Sequence, residues 1–313
     1  MDRVIVPVTR VDEPSIWEMP VQPSLAPPAW VTITDVQTRR QATRPILELL
    51  TWQGLEMYIV GMNFHQVLEF VPKKGVIAEL GVKRGANARR MFKTTDAAMM
   101  HLVDPWAKDE DVGYASLHSA EERQDFVGYY NEMVSWSESP EAGGRVNVIR
   151  DYAADAASSF EDKYFDFVYV DTLDSYDGFY GDLAAYAPKM KDEAILSGDD
   201  YYDMQYATHK MRLRDRLPPT QSLCMIHAAN DFCEMHGWEI LFITDEYLPA
   251  RRPPRFFAGK VGVFGDAHRL LDQVLRVTPW AVEVANPRDV RQTMVTPLGS
   301  TNPEERRFFT KII

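Results

Sequence analysis

The sequence predicts an α/β fold, a largely parallel sheet with helices on both faces. Short apolar runs alternate with segments of helical length from residue 76 onward, as they do in repeated β-α-β units. The runs are almost continuously apolar, which is typical of strands covered on both sides, and the clearest is FDFVYV at residues 165–170. At 313 residues, 45% of them hydrophobic, the chain accommodates one large domain with extensions or two small domains.

The predicted elements follow in chain order. Residues 1–44 contain closely spaced prolines and predict an irregular N-terminal arm. Residues 45–70 carry apolar side chains at helical spacing and predict one or two helices. Apolar runs then predict strands at 76–82, 99–103, 145–149 and 165–170, with helices at 86–93, 120–136 and 176–190.

The C-terminal part predicts the end of the sheet and one more helix. A short strand begins at 194–196, and a helix over 222–237 ends at Gly237, a residue type common after a last helical turn. Two late strands follow at 239–244 and 256–263. After them come an amphipathic helix at 267–277 and a tail at 278–313. We therefore expect an arm (1–44), a main domain (45–262) and a helical C-terminal extension with a tail (263–313).

Composition narrows the classes of function. The chain has 34 basic and 46 acidic residues, a formal charge of −12, which disfavours binding to nucleic acid phosphates or to an anionic membrane. No stretch approaches the ~18 apolar residues of a membrane helix, and the N-terminus lacks the apolar core of a secretory signal. Two cysteines, Cys224 and Cys233, are too few for a disulfide framework or a Cys-rich zinc site. The sequence therefore predicts a cytoplasmic protein.

An acidic residue stands at the end of every predicted strand of the alternating region. In an open α/β sheet, ligands bind at the carboxyl ends of the strands. Packing gives no reason for acids there, because an unpaired buried carboxylate is costly. The sequence therefore predicts a ligand site built from these strand ends, whose acids are Glu79, Asp104, Asp151, Asp171, Asp199 and Asp200.

The first strand end indicates the kind of ligand. Gly81 and Gly85 permit a tight turn and a close approach of ligand to backbone. Lys83 stands where a dinucleotide fingerprint has its second glycine, which disfavours a pyrophosphate cofactor such as NAD or FAD. Glu79 suits a cationic group, and Asp104 has the spacing of an acid that accepts both hydroxyls of a ribose. S-adenosylmethionine, an adenosine with a cationic amino-acid tail, satisfies all these points.

Four motifs in the same order then carry a resemblance to a family. ExGxxxG, VDPW, FDFVYVDxxxSYxxxxxDL and GDDY make residues 55–262 resemble class I S-adenosylmethionine-dependent methyltransferases. They are most similar to the branch of metal-dependent O-methyltransferases of the macrocin and novobiocin type. The resemblance implies a Rossmann-like seven-stranded sheet, ordered 3-2-1-4-5-7-6, with the last strand antiparallel.

The resemblance also implies roles for single residues. The cofactor contacts it implies, along the methionine part, the ribose and the adenine, are Glu79, Gly81, Gly85, Asp104, Asp151, Tyr152 and Asp171. Trp106, directly after the ribose acid and its proline, is a further candidate contact. Asp171, Asp199 and Asp200 match the positions that bind a divalent metal in this family.

The three aspartates also have a physical case as a metal site. Oxygen ligands select a hard cation such as Mg²⁺. A hydroxyl is a poor nucleophile while it is protonated, and a metal both lowers its pKa and fixes its direction. Without a cation, the adjacent charges of Asp199 and Asp200 would repel each other.

Two positions depart from the wider family. Asp174 and Asp199 stand where many relatives have histidine, and the second change favours the metal-dependent branch. The general base stays open among Asp171, Asp174 and His209.

Three hypotheses for the function remain at this stage. The leading one is Mg²⁺-assisted, S-adenosylmethionine-dependent methylation of a hydroxyl on a small polar molecule. The second is a metal-independent N- or O-methyltransferase of the same fold, and the third is a binding protein with a degenerate fold. The acceptor is left open, as is a homo-oligomer formed through residues 45–70 or the C-terminal tail.

Overall fold

The fold is described from a computed structural model of the chain. It describes residues 57–106, 120–172, 176–201, 225–244, 254–284, 290–295 and 307–312. The predicted N-terminal arm, Asp174 and His209 lie outside these residues. None of the described helices is long and apolar enough to span a bilayer.

Nine of the described strands form one sheet. The strands in chain order are β1 (Met57–Val60), β2 (Val76–Leu80), β3 (Met99–Val103), β4 (Val146–Ile149), β5 (Phe165–Val170), β6 (Met190–Gly198), β7 (Trp238–Thr244), β8 (Phe256–Lys260), β9 (Ala281–Val284), β10 (Val290–Val295) and β11 (Arg307–Ile312). Across the large sheet the order is β4-β3-β2-β5-β6-β8-β7-β1-β9, and β10 and β11 pair as a separate antiparallel sheet.

Seven helices connect or flank these strands in the described segments. They are α1 (Phe64–Leu68), α2 (Ala86–Thr95), α3 (Ala120–Ser137), α4 (Ala153–Ala156), α5 (Tyr176–Tyr186), α6 (Met225–His236) and α7 (Asp266–Val277). Short 3₁₀ turns follow α4 and α5. Most of the predicted elements lie within a few residues of these bounds, since apolar periodicity is a local property of the sequence.

The central seven strands confirm the predicted fold class. From β4 to β7 the order corresponds to 3-2-1-4-5-7-6 when the strands are counted from β2. Strands β2 to β6 run parallel, and β8 is antiparallel to both β6 and β7. The antiparallel β8 therefore begins at the edge of the sheet where β6 ends, which places its first residues beside the predicted site.

Two further strands extend the sheet beyond the seven that were predicted. The prediction of helix throughout residues 45–70 is wrong at 57–60, where β1 pairs in parallel with β7. A short apolar run such as MYIV does not by itself distinguish a buried strand from a helix. The C-terminal segment adds β9, antiparallel to β1. Helix α1 follows β1 directly, and its first turn is closed by reciprocal hydrogen bonds between Asn63 and Gln66.

The core has two layers, one on each face of the sheet. Alternate residues of β5 show this: Phe167 and Tyr169 pack with α1, α2, α3 and α7, whereas Val168 and Val170 pack with α4, α5 and α6. This agrees with the prediction from nearly continuous apolar strands. Cys233 is a buried free thiol in α6.

Candidate functional site

Four of the predicted acids meet at one edge of the sheet. Glu79, Asp104, Asp171 and Asp199 come from the carboxyl ends of β2, β3, β5 and β6, which are neighbours in the sheet. The charges of the other three all raise the pKa of Glu79, so the four carboxylates share one electrostatic environment. This edge is therefore the candidate functional site.

The glycine turn after β2 is packed against the end of β5. Gly81 has φ +85°, and a Cβ there would lie 1.7 Å from the carbonyl oxygen of Asp171. Gly85 has φ +71° and precedes α2. Lys83, between them, is also left-handed with φ +51°. A glycine is thus required at 81 by both backbone conformation and close approach.

Asp104 fastens this turn to the end of β3. One carboxylate oxygen, Oδ2, accepts hydrogen bonds from the N–H groups of Val82 and Lys83 at 2.9 and 2.8 Å. The other, Oδ1, accepts one from the N–H of Trp106 at 2.7 Å. Burial raises the pKa of Asp104, and these three hydrogen bonds oppose that shift. Oδ1 accepts a single hydrogen bond and keeps a second lone-pair direction, so the carboxylate can still accept from a ribose hydroxyl.

Glu79 is buried without a complete set of partners. The residue is 1% exposed, and its Oε2 has no hydrogen-bond partner among the described residues. Its pKa is raised well above the ordinary value, first by burial and then by the negative charge of Asp171. A buried acceptor of this kind fits a cationic ligand group, which would supply both the missing donor and the missing charge.

The remaining predicted cofactor contacts surround the turn and the end of β4. Trp106 is fully buried, and its indole N–H donates to the carbonyl of Lys83 at 2.8 Å. Arg150 donates to the carbonyl of Trp106 at 2.9 Å. Asp151 accepts from the N–H of Tyr152 at 2.9 Å, where α4 begins. Trp106 is thus hydrogen-bonded to the glycine turn. The cofactor contacts of Trp106, Asp151 and Tyr152 stay predictions.

An arginine that sequence reasoning missed completes the site. Arg255, just before β8, is 1% exposed and donates from Nη2 to Oδ2 of Asp199 at 3.1 Å. It also donates from Nε to the hydroxyl of Tyr169 at 2.8 Å. The available signal was RPPRFF, a charged residue directly before a strongly apolar strand. That signal gives no partner, because Asp199 is 56 residues away in sequence.

The three-carboxylate magnesium site stays a prediction, and one of its members, Asp199, already has a charged partner in the structure. Both oxygens of Asp199 are engaged, one by Arg255 and the other by the N–H of Asp200 at 2.9 Å. Within the described segments, no group of three or more histidine, cysteine or acidic side chains has the arrangement of a metal site. A guanidinium lies against Asp199, where the sequence predicts a divalent cation.

Comparison with known proteins gives a family for part of the chain. A sequence model of a family described as a methyltransferase domain matches residues 78–201. This segment runs from β2 to just beyond β6 and contains the acids of the candidate site that precede β8. A search of curated proteins finds no significant match.

Solved structures with similar folds are distant. A candidate sarcosine dimethylglycine methyltransferase from Galdieria sulphuraria shares 12% identity over 56% of this chain and 58% of that one, with a TM-score of 0.37. The second is a chain from a Haloferax volcanii complex between the Trm112 methyltransferase activator and a candidate methyltransferase. It shares 12% identity over 64% of this chain and 90% of that one, with a TM-score of 0.43. An O-methyltransferase family protein from Burkholderia thailandensis shares 12% identity (63% and 53% covered, TM-score 0.41).

The alignments differ in how much of the other protein they cover. This chain spans little more than half of the Galdieria and Burkholderia proteins but nine-tenths of the Haloferax chain. The substrates and partners of those proteins therefore do not transfer to this one.

Proposed function

We propose that this chain is an S-adenosylmethionine-dependent methyltransferase, whose methyltransferase domain includes residues 78–201, and that it methylates a hydroxyl of a small polar molecule. The resemblance of the strand ends DxxxSY and GDDY to O-methyltransferases supports a hydroxyl acceptor. The acidic surface of the chain, at a formal charge of −12, disfavours a nucleic acid acceptor.

The observation that carries the proposal is the incomplete hydrogen bonding of Glu79. Its unpartnered Oε2 is buried beside the glycine turn, where the amino group of the methionine part would supply a cation and N–H donors. Asp104 follows β3, the neighbour of β2 in the sheet, and its Oδ1 has a lone-pair direction left for the ribose. A nucleotide with a phosphate at this point would instead be repelled by Glu79.

The acids at the ends of β5 and β6 would act on the acceptor, and Asp171 remains a predicted cofactor contact as well. Transfer from a sulfonium requires a lone pair in line with the methyl group. Asp171 is the first residue after β5 and Asp199 the first after β6, and either would orient an acceptor O–H or N–H by accepting a hydrogen bond. Asp171 remains a candidate base together with Asp174 and His209.

The metal-independent alternative has a specific observation in its favour. Asp171, Asp199 and Asp200 supply hard oxygen ligands of the kind Mg²⁺ prefers, which supports the metal-assisted version. The ion pair between Asp199 and Arg255 favours the version in which side chains alone activate the acceptor. Turnover that persists in chelator would support the second version, and turnover restored only by Mg²⁺ would support the first.

The cofactor assignment is tested by binding of S-adenosylhomocysteine to wild type and to Glu79→Gln. At about 100 times the dissociation constant, the ligand should stabilise wild type by about 2.7 kcal/mol, a clear thermal shift. Glu79→Gln should bind about tenfold to a hundredfold more weakly by calorimetry, since a charge-assisted hydrogen bond contributes about 1.5–3 kcal/mol.

Glu138→Gln is the matched control, because Glu138 is exposed just after α3. It should bind S-adenosylhomocysteine as wild type does. An unshifted melting temperature in wild type at saturating ligand would contradict the proposal. It would favour the third hypothesis, a binding protein with a degenerate methyltransferase fold.

A further inference from the structure

The geometry points to Arg255 as the resident positive charge of the site, a positioning residue that holds Asp199 in place where the sequence predicts a divalent cation. The proposal rests on the proposed function for its catalytic meaning. The charge arrangement itself is independent of which substrate is methylated.

Burial is the first step of the argument. The side chains of Arg255 and Asp199 are 2% and 11% exposed, so water solvates neither charge well. Two such groups are stable in the interior only when they neutralise each other and their hydrogen bonds are made. The pair therefore belongs to the folded core and differs from the exposed ion pairs on the helices.

The guanidinium is fixed on more than one side. Nε donates to the hydroxyl of Tyr169, and the guanidinium carbon lies 4.9 Å from the centre of the Phe64 ring. Phe64 in turn stacks on Tyr169, with ring centres 4.6 Å apart. Because the guanidinium is planar and has directed donors, these contacts define its orientation toward Asp199.

The backbone of Arg255 is fixed as well. Its N–H donates to the side-chain oxygen of Thr244 at 2.9 Å, and its carbonyl accepts from the N–H of Thr244 at 2.9 Å. Strand β8 runs antiparallel between β6 and β7, so its start is held at the edge where β6 ends. The topology thus delivers the arginine to the candidate site.

A cation at the same carboxylate would compete with this arrangement. Mg²⁺ requires near-octahedral oxygen ligands at about 2.0–2.1 Å. At Asp199 it would approach an oxygen that already faces a buried positive charge. The charge of arginine is permanent at physiological pH, so the guanidinium does not vacate the position by losing a proton.

Held in this way, Asp199 is a hydrogen-bond acceptor of fixed direction at the end of β6. It can hydrogen-bond the O–H or N–H of a methyl acceptor without a metal to orient it. The sequence predicts that a metal offsets the repulsion between the adjacent charges of Asp199 and Asp200. In the structure, the positive charge beside Asp199 is that of Arg255.

The experiment measures Mn²⁺ binding to the full chain by electron paramagnetic resonance, with Mg²⁺ calorimetry in parallel. Wild type and Asp199→Asn should give the same Mn²⁺ isotherm. Arg255→Met should gain a site about tenfold or more tighter than wild type, because it leaves the carboxylates uncompensated, and Arg255→Met/Asp199→Asn should lose it. Arg255→Lys, which keeps the charge, should not gain the site.

Arg276→Met is the matched control. It removes an arginine from the exposed pair with Asp272 on α7 and should leave Mn²⁺ binding unchanged. Tight Mn²⁺ binding by wild type that Asp199→Asn abolishes would overturn the proposal. If Arg255→Met does not fold by circular dichroism, the comparison of wild type with Asp199→Asn decides alone.

Binding of S-adenosylhomocysteine is measured on the same samples. Its failure in wild type would contradict the proposed function, whatever the Mn²⁺ result. A wild-type protein that binds the cofactor product, and whose Mn²⁺ isotherm is independent of Asp199, supports both proposals.

Discussion

The buried acids of this protein are stabilised in different ways, and the difference indicates what each can do. The carboxylate of Asp104 accepts hydrogen bonds from three backbone N–H groups and so fixes the glycine turn. The carboxylate of Asp199 pairs with the guanidinium of Arg255. Glu79 has an oxygen without a partner among the described residues and is thus the one of the three best prepared for a cationic ligand.

Asp182, in α5, is a fourth acid with a perturbed pKa and belongs to the motif that carried the family resemblance. Burial raises its pKa to about 6, and a hydrogen bond from the N–H of Ala154 opposes the shift. The folded state therefore holds its proton more tightly than the unfolded state between pH 3.8 and about 6. Stability from this group is present at low pH and is lost as pH rises through about 6.

Asp182→Asn removes the titrating carboxyl group, so the variant should not lose stability from this group as the pH rises. Relative to wild type, the free energy of unfolding of the variant should rise by roughly 2 kcal/mol between pH 4.5 and pH 7. Urea unfolding at both pH values measures the difference, with exposed Asp162→Asn as the control. A difference between variant and wild type that does not change with pH would contradict the buried-acid interpretation.

At the scale of elements, the strand ends are where the backbone departs from ordinary conformations. Among the described residues, six other than glycine have positive φ, and three of them, Lys83, Trp106 and Asp200, directly follow strands of the site. Such conformations cost free energy and persist where surrounding structure imposes them. The turns are thus shaped to present backbone and carboxylates at the edge of the sheet.

The glycine turn gives a prediction with an internal control. Gly81→Ala should destabilise the protein by about 2 kcal/mol or more and weaken S-adenosylhomocysteine binding, because alanine disfavours left-handed φ. Its Cβ would also overlap the carbonyl of Asp171. Gly128→Ala in α3 meets no atom within 4 Å and should instead stabilise by about 0.5–1 kcal/mol. Thermal unfolding of both variants measures these effects, and equal shifts in the same direction would contradict the packing described for the turn.

At the scale of the whole molecule, segments on both sides of residues 78–201, the part that matches the family model, join the same sheet. β1 precedes the domain and β9 follows it, yet they pair with each other and extend the sheet beyond β7. Helix α7 packs on the sheet through Leu270, Leu271 and Val274, all at most 1% exposed. We therefore propose that residues 263–284 belong to the folding unit and are not a separable extension.

Truncation tests this proposal. A chain that ends at residue 262 loses α7 and β9, and each large apolar side chain removed from the core costs about 1.5–3 kcal/mol. The sum for three such residues is comparable with the total stability of a domain, so this chain should not unfold cooperatively. A chain that ends at residue 284 keeps every strand of the nine-stranded sheet and should melt as a folded protein by circular dichroism. A cooperative transition near that of the full chain in the shorter fragment would restore the division at residue 262.

The central strands and the acids that follow them could be predicted, because both are local in sequence. The run FDFVYV and the acid after it lie side by side, and a parallel sheet brings such ends together whatever the intervening loops do. β1 could not be predicted, because MYIV becomes a strand through pairing with β7, which lies about 180 residues later. The same holds for β9, which has no partner until β1 is in place.

By itself, the sequence determined the order of the elements, the glycine turn and the row of acids at the strand ends. The tertiary structure decided which charge each acid meets. Asp199 and Asp200 predict a cation, but the cation present in the structure is Arg255, which β8 brings back to the end of β6. The physical reason is that a buried carboxylate is stabilised by whatever charge the fold places within a few ångströms, and residues far apart in sequence supply that charge.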